Sequence, residues 1–187
     1  MLSKKVIKGL AGEGEKGFAL LETIIAAALL SMVFATIALY YTTTVSLWRR
    51  NNDQTEVQQQ VRVVLAELVP DLQQTLSLKY RTPLDKTWRD LSAGGTCELK
   101  NGGEVSLGIP QLTAGEPILS VRYYLQGNSL IRDTGGHNPI ALYIDQVQFK
   151  APAGSEGLLE ISVEAVKEGA RAKMVTSAYL RNLRKGG

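Results

Sequence analysis

The feature that most constrains this chain is an apolar segment that starts at residue 18 and contains one carboxylate. Residues 18–41 are apolar or small apart from Glu22, and residues 23–48 carry no charge. Residues 18–41, 24 in number, would form a helix about 36 Å long, enough to cross a hydrocarbon core of about 30 Å with some tilt. We therefore expect residues 18–48 to form a transmembrane helix and its exit, and the chain to be anchored in a membrane.

The residues before this helix form a short polar segment rich in lysine. Its charged residues are Lys4, Lys5, Lys8, Glu13, Glu15 and Lys16. They contribute +2 of the formal net charge of +3, so the rest of the chain is nearly neutral and shows no basic surplus for nucleic acid. The lysines place the N-terminus in the cytoplasm by the positive-inside rule, and residues beyond Trp48 outside, although Arg49 and Arg50 oppose this topology.

The order of these parts differs from that of a secretory signal. Such a signal is cut after its apolar region, whereas the plausible processing site here, between Gly17 and Phe18, precedes it. Cutting there would remove 17 of the 187 residues and leave 170, the size of a single anchored domain. Residues 1–17 would then be a cytoplasmic leader, residues 18–48 the membrane segment and residues 49–187 an extracytoplasmic domain.

With Glu22 as the fifth residue of the trimmed chain, this arrangement resembles the class III signal of type IV pilins and type II secretion pseudopilins. The resemblance implies that a membrane-embedded prepilin peptidase cuts after Gly17 and then N-methylates Phe18. It also implies, as partners, other minor and major pilins or pseudopilins and an assembly platform in the inner membrane. The protein would be stored in that membrane and then built into a pilus or pseudopilus.

Glu22 needs a physical reason to lie in a membrane segment, since an ionisable side chain there costs about 2.5 to 3.5 kcal/mol. One reading is that it lies near the headgroups and complements the positive end of the helix dipole. The resemblance implies a second reading, in which Glu22 is an assembly contact that pairs with the Phe18 ammonium of an adjacent subunit and sets the axial register.

Small residues recur at every fourth position of the apolar helix. They are Ala19, Thr23, Ala27, Ser31 and Ala35. Such a stripe allows close packing of neighbouring helices, for which Ala27, Ser31 and Ala35 are the candidates, although an alanine-rich helix also produces it by chance. Tyr40, Tyr41 and Trp48 are placed as interfacial aromatic anchors.

Helical periodicity continues beyond the membrane segment. The apolar positions are Val57, Val61, Val64, Leu65, Leu68, Leu72 and Leu76. Their spacing predicts an amphipathic helix to about residue 79, kinked or divided at Pro70. The resemblance suggests that the stripe packs on a sheet, whereas a lone repeat of this length would suggest a coiled coil.

The second half of the chain predicts an antiparallel sheet after a loop that extends to about residue 95. Strands are expected at residues 104–109, 118–125, 129–132, 140–150, 158–166 and 171–180, with turns at Gly127-Asn128 and Glu168-Gly169, so that the sheet ends near residue 182. The fold class is therefore α+β: a long N-terminal helix packed on a C-terminal antiparallel sheet, as in pilins.

Within the family, the sequence is most similar to W-type minor pilins and J-type minor pseudopilins. The similarity rests on the patterns at residues 121–125, 130–132, 147–149 and 180–183. Leu39 stands where many major pilins have a proline, and the cysteine pair of major pilins is missing, since Cys97 is the only cysteine. Both departures favour a minor subunit, which we expect near the filament tip, helping to initiate assembly.

Other chemistries have little support in the sequence. Residues 12–17 match a dinucleotide fingerprint formally, but no strand precedes them. We interpret Cys97 as a small buried hydrophobe and His137 as a solvated loop residue, and we expect no metal, cofactor or catalytic site. The alternatives to a structural subunit are an adhesin or a DNA- or substrate-binding module displayed on the filament, and a membrane-anchored enzyme with a pilin-like N-terminus.

Overall fold

The computed structural model describes the backbone of residues 7–111, 118–155 and 157–181, and the side chains of these residues from Ala19 onward except that of Asn101. The chain divides into two compact units, Met1–Arg49 and Arg50–Gly187. One helix, α1 (Ile7–Gln74), runs through the first unit and into the second. The ten strands found in the described residues all lie in the second unit.

Helix α1 differs from the expected helix at both ends. It begins at Ile7, so residues 7–17 are also helical, and it ends at Gln74 rather than near residue 79. Just beyond its end, the buried Thr75 places its hydroxyl 2.9 Å from the carbonyl oxygen of Ser77, and the Leu76 amide donates to the carbonyl of Gly108 at 2.7 Å. These bonds draw the chain into a sheet, and Ser77–Arg81 forms strand β1.

The strands form two antiparallel sheets rather than one. The remaining strands are β2 (Arg89–Asp90), β3 (Thr96–Glu98), β4 (Glu104–Ile109), β5 (Leu119–Gln126), β6 (Ser129–Asp133), β7 (His137–Ala141), β8 (Ile144–Lys150), β9 (Leu158–Lys167) and β10 (Ala170–Tyr179). The six-stranded sheet has the order β2-β1-β4-β5-β6-β7, and the four-stranded sheet has the order β10-β9-β8-β3. The expected loop to residue 95 therefore contains β2 and the end of β1.

The predicted strand at residues 140–150 is two strands that lie in different sheets. Strand β7 ends at Ala141 and β8 begins at Ile144. Between them Tyr143 has a φ of 61°, a left-handed conformation that ends an extended run. The Tyr143 carbonyl accepts a hydrogen bond from Val166 at 2.8 Å, which holds the crossing in place.

Both predicted hairpin turns are confirmed. Gly127 has a φ of 60° between β5 and β6, whereas Glu168 and Gly169 have φ values of 46° and 84° between β9 and β10. Positive φ at the first central residue, or at both, gives the turns whose twist matches that of antiparallel strands.

One hydrophobic core lies among the second half of α1 and the two sheets. Its helix residues have no exposed surface: Val57, Val61, Val64, Leu68 and Leu72. They share the core with Leu107 and Tyr123 of the six-stranded sheet and with Phe149 and Ile161 of the four-stranded sheet. Burial of each such aliphatic side chain contributes about 1.5 to 3 kcal/mol. The predicted packing of an amphipathic helix on a sheet is thus confirmed, and Pro70 lies within α1 without dividing it.

Candidate assembly site on the N-terminal helix

The apolar part of α1 presents bare hydrophobic side chains. From Ala19 to Asn52 every described side chain is exposed except the half-buried Val45; Leu20, for example, is 64% exposed and Tyr40 75%. Patches of this extent on soluble monomers mark contacts with a membrane or a protein. Among the described residues, α1 is the one helix long and apolar enough to span a membrane.

Hydroxyl groups on this segment bond to the helix itself. Thr23 and Ser31 donate to the carbonyl oxygens of Leu20 and Ala28, each at 2.8 Å. The same local bonding occurs at Thr36, Thr42, Thr43 and Ser46. Because these six hydroxyls bond within the helix, their residues can enter an apolar environment at a low cost.

Glu22 is a charged residue of this segment that has no hydrogen-bond or ion-pair partner among the described side chains. It is exposed, and the hydrogen bonds and ion pairs between described side chains do not involve it. The carboxylate therefore projects from a helix whose other described side chains, to Trp48, are uncharged.

The other predicted residues of this site divide into two groups. Ala27, Ser31 and Ala35 are exposed along the helix, as a surface for helix packing requires. Gly17 and Phe18 lie within the backbone of α1, and the Phe18 side chain lies outside the described residues.

Where α1 enters the second unit, charged side chains fix it to the β9–β10 hairpin. Lys167 of β9 lies 2.8 Å from Asp53 and 2.6 Å from Glu56. These two hydrogen-bonded carboxylates raise the pKa of Lys167. Gln54 donates to the backbone carbonyl of Arg171 at 3.0 Å. A cleft of about 360 Å³ lies beside them, lined by Arg50, Asp53, Glu168, Gly169 and Ala170.

A partly buried polar cluster fixes the other end of α1 to the six-stranded sheet. The Tyr123 hydroxyl, on a side chain with no exposed surface, donates to Asp71 at 2.6 Å. Arg132 donates from Nε to the same Asp71 oxygen at 2.9 Å. Burial, followed by the bond to Asp71, raises the pKa of Tyr123. The sequence analysis did not predict this cluster. The pattern that could have indicated it is a carboxylate, Asp71, directly before Leu72 on the apolar side of the helix.

The structure confirms the prediction for Cys97 and corrects part of the prediction for His137. Cys97 is buried, as predicted, and burial raises its pKa to about 12. The prediction of a loop for His137 is wrong, because it begins β7. Its side chain remains 73% exposed and is within hydrogen-bond reach of the Tyr124 hydroxyl. Among the described residues, no group of three or more His, Cys, Asp or Glu side chains could hold a metal ion.

In comparisons with known proteins, no family model, curated protein or solved structure matches this chain. The architecture stands on its own geometry: one long helix, apolar in its first part, packs through its second part on antiparallel strands. This arrangement is compatible with a pilin-like fold.

Proposed function

We propose that this protein is a minor pilin or pseudopilin, a structural subunit of a type IV pilus or a type II secretion pseudopilus. In this proposal a prepilin peptidase cuts between Gly17 and Phe18 and N-methylates Phe18. The mature chain resides in the inner membrane, with its C-terminal unit outside the cytoplasm, until the assembly platform adds it near the tip of the filament. The role needs binding between subunits and no catalysis by this chain.

The observation that carries the proposal is the exposed Glu22 on a bare apolar helix. A carboxylate in this position costs about 2.5 to 3.5 kcal/mol when it enters lipid without a partner. Within the described side chains it has no partner, so a partner from another subunit would remove that cost. The Phe18 ammonium of a neighbouring trimmed chain is a charge of the right sign at the start of the same segment.

The rest of the molecule supports this role. The bare apolar surface of residues 19–48 would be covered first by lipid and then by neighbouring helices, with Ala27, Ser31 and Ala35 allowing close approach. The compact second unit buries its own core, so the subunit can remain folded while its membrane helix exchanges lipid for protein.

Processing and assembly can be tested separately. Intact-mass and N-terminal analysis of the protein from membranes and from sheared filaments should show loss of 17 residues from the chain of 187 and a methyl group on Phe18. An intact leader in every fraction would overturn the proposal.

Assembly is tested with Glu22→Ala, and Thr36→Ala is the matched control because the Thr36 hydroxyl bonds to the carbonyl of Val33 within the same helix. Glu22→Ala should insert and be cleaved but be missing from sheared filaments, whereas Thr36→Ala should enter them normally. Normal incorporation of Glu22→Ala would refute the assembly role of the carboxylate.

A further inference from the structure

The described sheets have four edge strands, and one of them is unlike the others. Strand β2 has two residues and β3 has three, whereas β7 contains Pro139 and pairs with β6 through a register shift. Strand β10 has ten residues and pairs with β9 without a shift. Short strands, proline and irregular pairing protect an edge from added strands, and a long regular edge lacks that protection.

The hydrogen bonding of β10 identifies which backbone groups point away from the sheet. The Leu180 amide donates to Gly157 at 2.7 Å, in the same register that pairs Ala178 with Leu159. Because inward and outward bonding alternate along an antiparallel strand, the even-numbered residues bond to β9 and the odd-numbered residues face outward. The carbonyl of Arg171 faces outward accordingly and accepts its bond from Gln54.

Four residues therefore form an open edge: Lys173, Val175, Ser177 and Tyr179. Their outward amides and carbonyls have no hydrogen-bond partner within the described part of the chain. Their side chains are also on the exposed face of the strand, with Val175 56% and Tyr179 59% exposed. The edge thus combines eight backbone groups, a cation at one end and apolar surface beyond it.

A second copy of this chain does not fit the open edge. The other edges are too short or carry proline, and two β10 strands related by a two-fold axis across their edges would run antiparallel. The exposed face of β10 carries Arg171, Lys173, Val175, Ser177 and Tyr179 and no carboxylate. A second β10 strand would therefore offer no acidic partner to Lys173 and could bring like charges together across the pair.

We propose that an extended segment of a different protein adds to the open edge as a fifth strand of the four-stranded sheet. Backbone bonds to the four residues would supply most of the affinity, as in other cases of strand addition. The segment would carry an acidic residue opposite Lys173 and an apolar residue opposite Val175, because cross-strand pairs of these kinds stabilise a sheet.

The test uses the full chain in detergent micelles and the peptide acetyl-Glu-Thr-Val-Thr-Val-Thr-Glu-amide, which places an acid opposite Lys173 in either direction. Residue-resolved hydrogen exchange should slow about tenfold at the four outward amides at roughly 90% occupancy. The amides of Ala172, Met174, Thr176 and Ala178, already bonded to β9, should not change. Absence of slowing at about 5 mM peptide, fivefold above a dissociation constant of 1 mM, would overturn the proposal.

Two variants test the edge and the charge. Ser177→Pro removes an outward donor that the folded chain does not use, so it should fold and lose peptide protection, whereas Ser177→Ala should retain it. Lys173→Glu should reverse the preference between this peptide and its counterpart with Lys at both ends. Equal protection in Ser177→Pro, or an unchanged preference in Lys173→Glu, would contradict the proposed mode of binding. Filament assembly is not needed in this assay, so its outcome is independent of the Glu22 experiment.

Discussion

The cluster of Tyr123, Asp71 and Arg132 allows a quantitative test of how α1 is fixed to the six-stranded sheet. Tyr123→Phe keeps a fully buried ring and removes a hydroxyl that donates to Asp71 at 2.6 Å and accepts from Arg132 at 3.2 Å. A hydrogen bond to a charged group contributes about 1.5 to 3 kcal/mol. Since Asp71 keeps its bond to Arg132, we expect a loss near the lower end, about 1.5 kcal/mol.

Asp71→Ala should cost more, about 2 to 3 kcal/mol, because both donors then lose their shared acceptor. The double variant should cost less than the sum of the two, since the Tyr123 to Asp71 bond can be lost only once. We expect a coupling free energy of about 1 to 1.5 kcal/mol. Costs that add within about 0.4 kcal/mol would refute the cluster as a tie between helix and sheet.

The measurement is urea unfolding of the full chain in micelles. Trp48 and Trp88 are the two tryptophans, so a Trp48→Phe background leaves Trp88 as the reporter. Trp88 lies in the second unit and packs under Arg81, with 5.0 Å between the guanidinium carbon and the ring centroid. Tyr124→Phe is the matched control: its hydroxyl contacts the exposed His137, and the change should stay within about 0.5 kcal/mol.

Two further predictions concern the six-stranded sheet. The Gly135 amide, followed by the Arg122 guanidinium, lowers the pKa of Asp133 from 3.8, so the ionised carboxyl stabilises the fold above pH 3.8 and the benefit is lost as the pH falls through the lower native pKa. The free energy of unfolding should be higher for wild type than for Asp133→Asn at pH 7, and the difference between them should shrink below pH 3.8. A difference that stays constant with pH would contradict this. Gly108→Ala would place a methyl group 2.5 Å from the Ser77 hydroxyl, so we expect a loss of about 1 to 3 kcal/mol in urea unfolding. Partial recovery in the Ser77→Ala, Gly108→Ala double variant would identify that contact, and an unperturbed single variant would refute it.

The helix stripe and the hairpins were predictable because their signals are local. The spacing of Val57, Val61, Val64, Leu68 and Leu72 defines one face of a helix, and all five are buried. Likewise, Gly127-Asn128 and Glu168-Gly169 specify tight turns by residue type.

The errors arose where distant residues decide the structure. Leu76 continues the helical spacing, yet its amide bonds to Gly108, thirty-two residues further along the chain, and β1 pairs with β4 there. The break between β7 and β8 falls at Tyr143, a residue type that does not signal positive φ. The division into two sheets depends on that break, so it was missed as well.

The candidate site is a similar mixture of local and distant information. The sequence alone shows that residues 18–48 carry no charged residue except Glu22. It also shows that a polar, lysine-rich segment precedes this apolar one. The ion pairs of Lys167 join residues more than a hundred positions apart, and the open edge of β10 depends on which strands pair. Neither has a pattern within one stretch of sequence.

The clamp between Lys167 and the carboxylates of Asp53 and Glu56 has a mechanical consequence. These carboxylates lie in the first turns of α1 inside the second unit, ahead of Val57, the first buried helix residue. Tension applied along α1 from its N-terminal part reaches the contacts with the β9–β10 hairpin before it reaches the core. A pulling force on α1 must therefore break the ion pairs of Lys167 before it can draw the Val57 side chain out of the core.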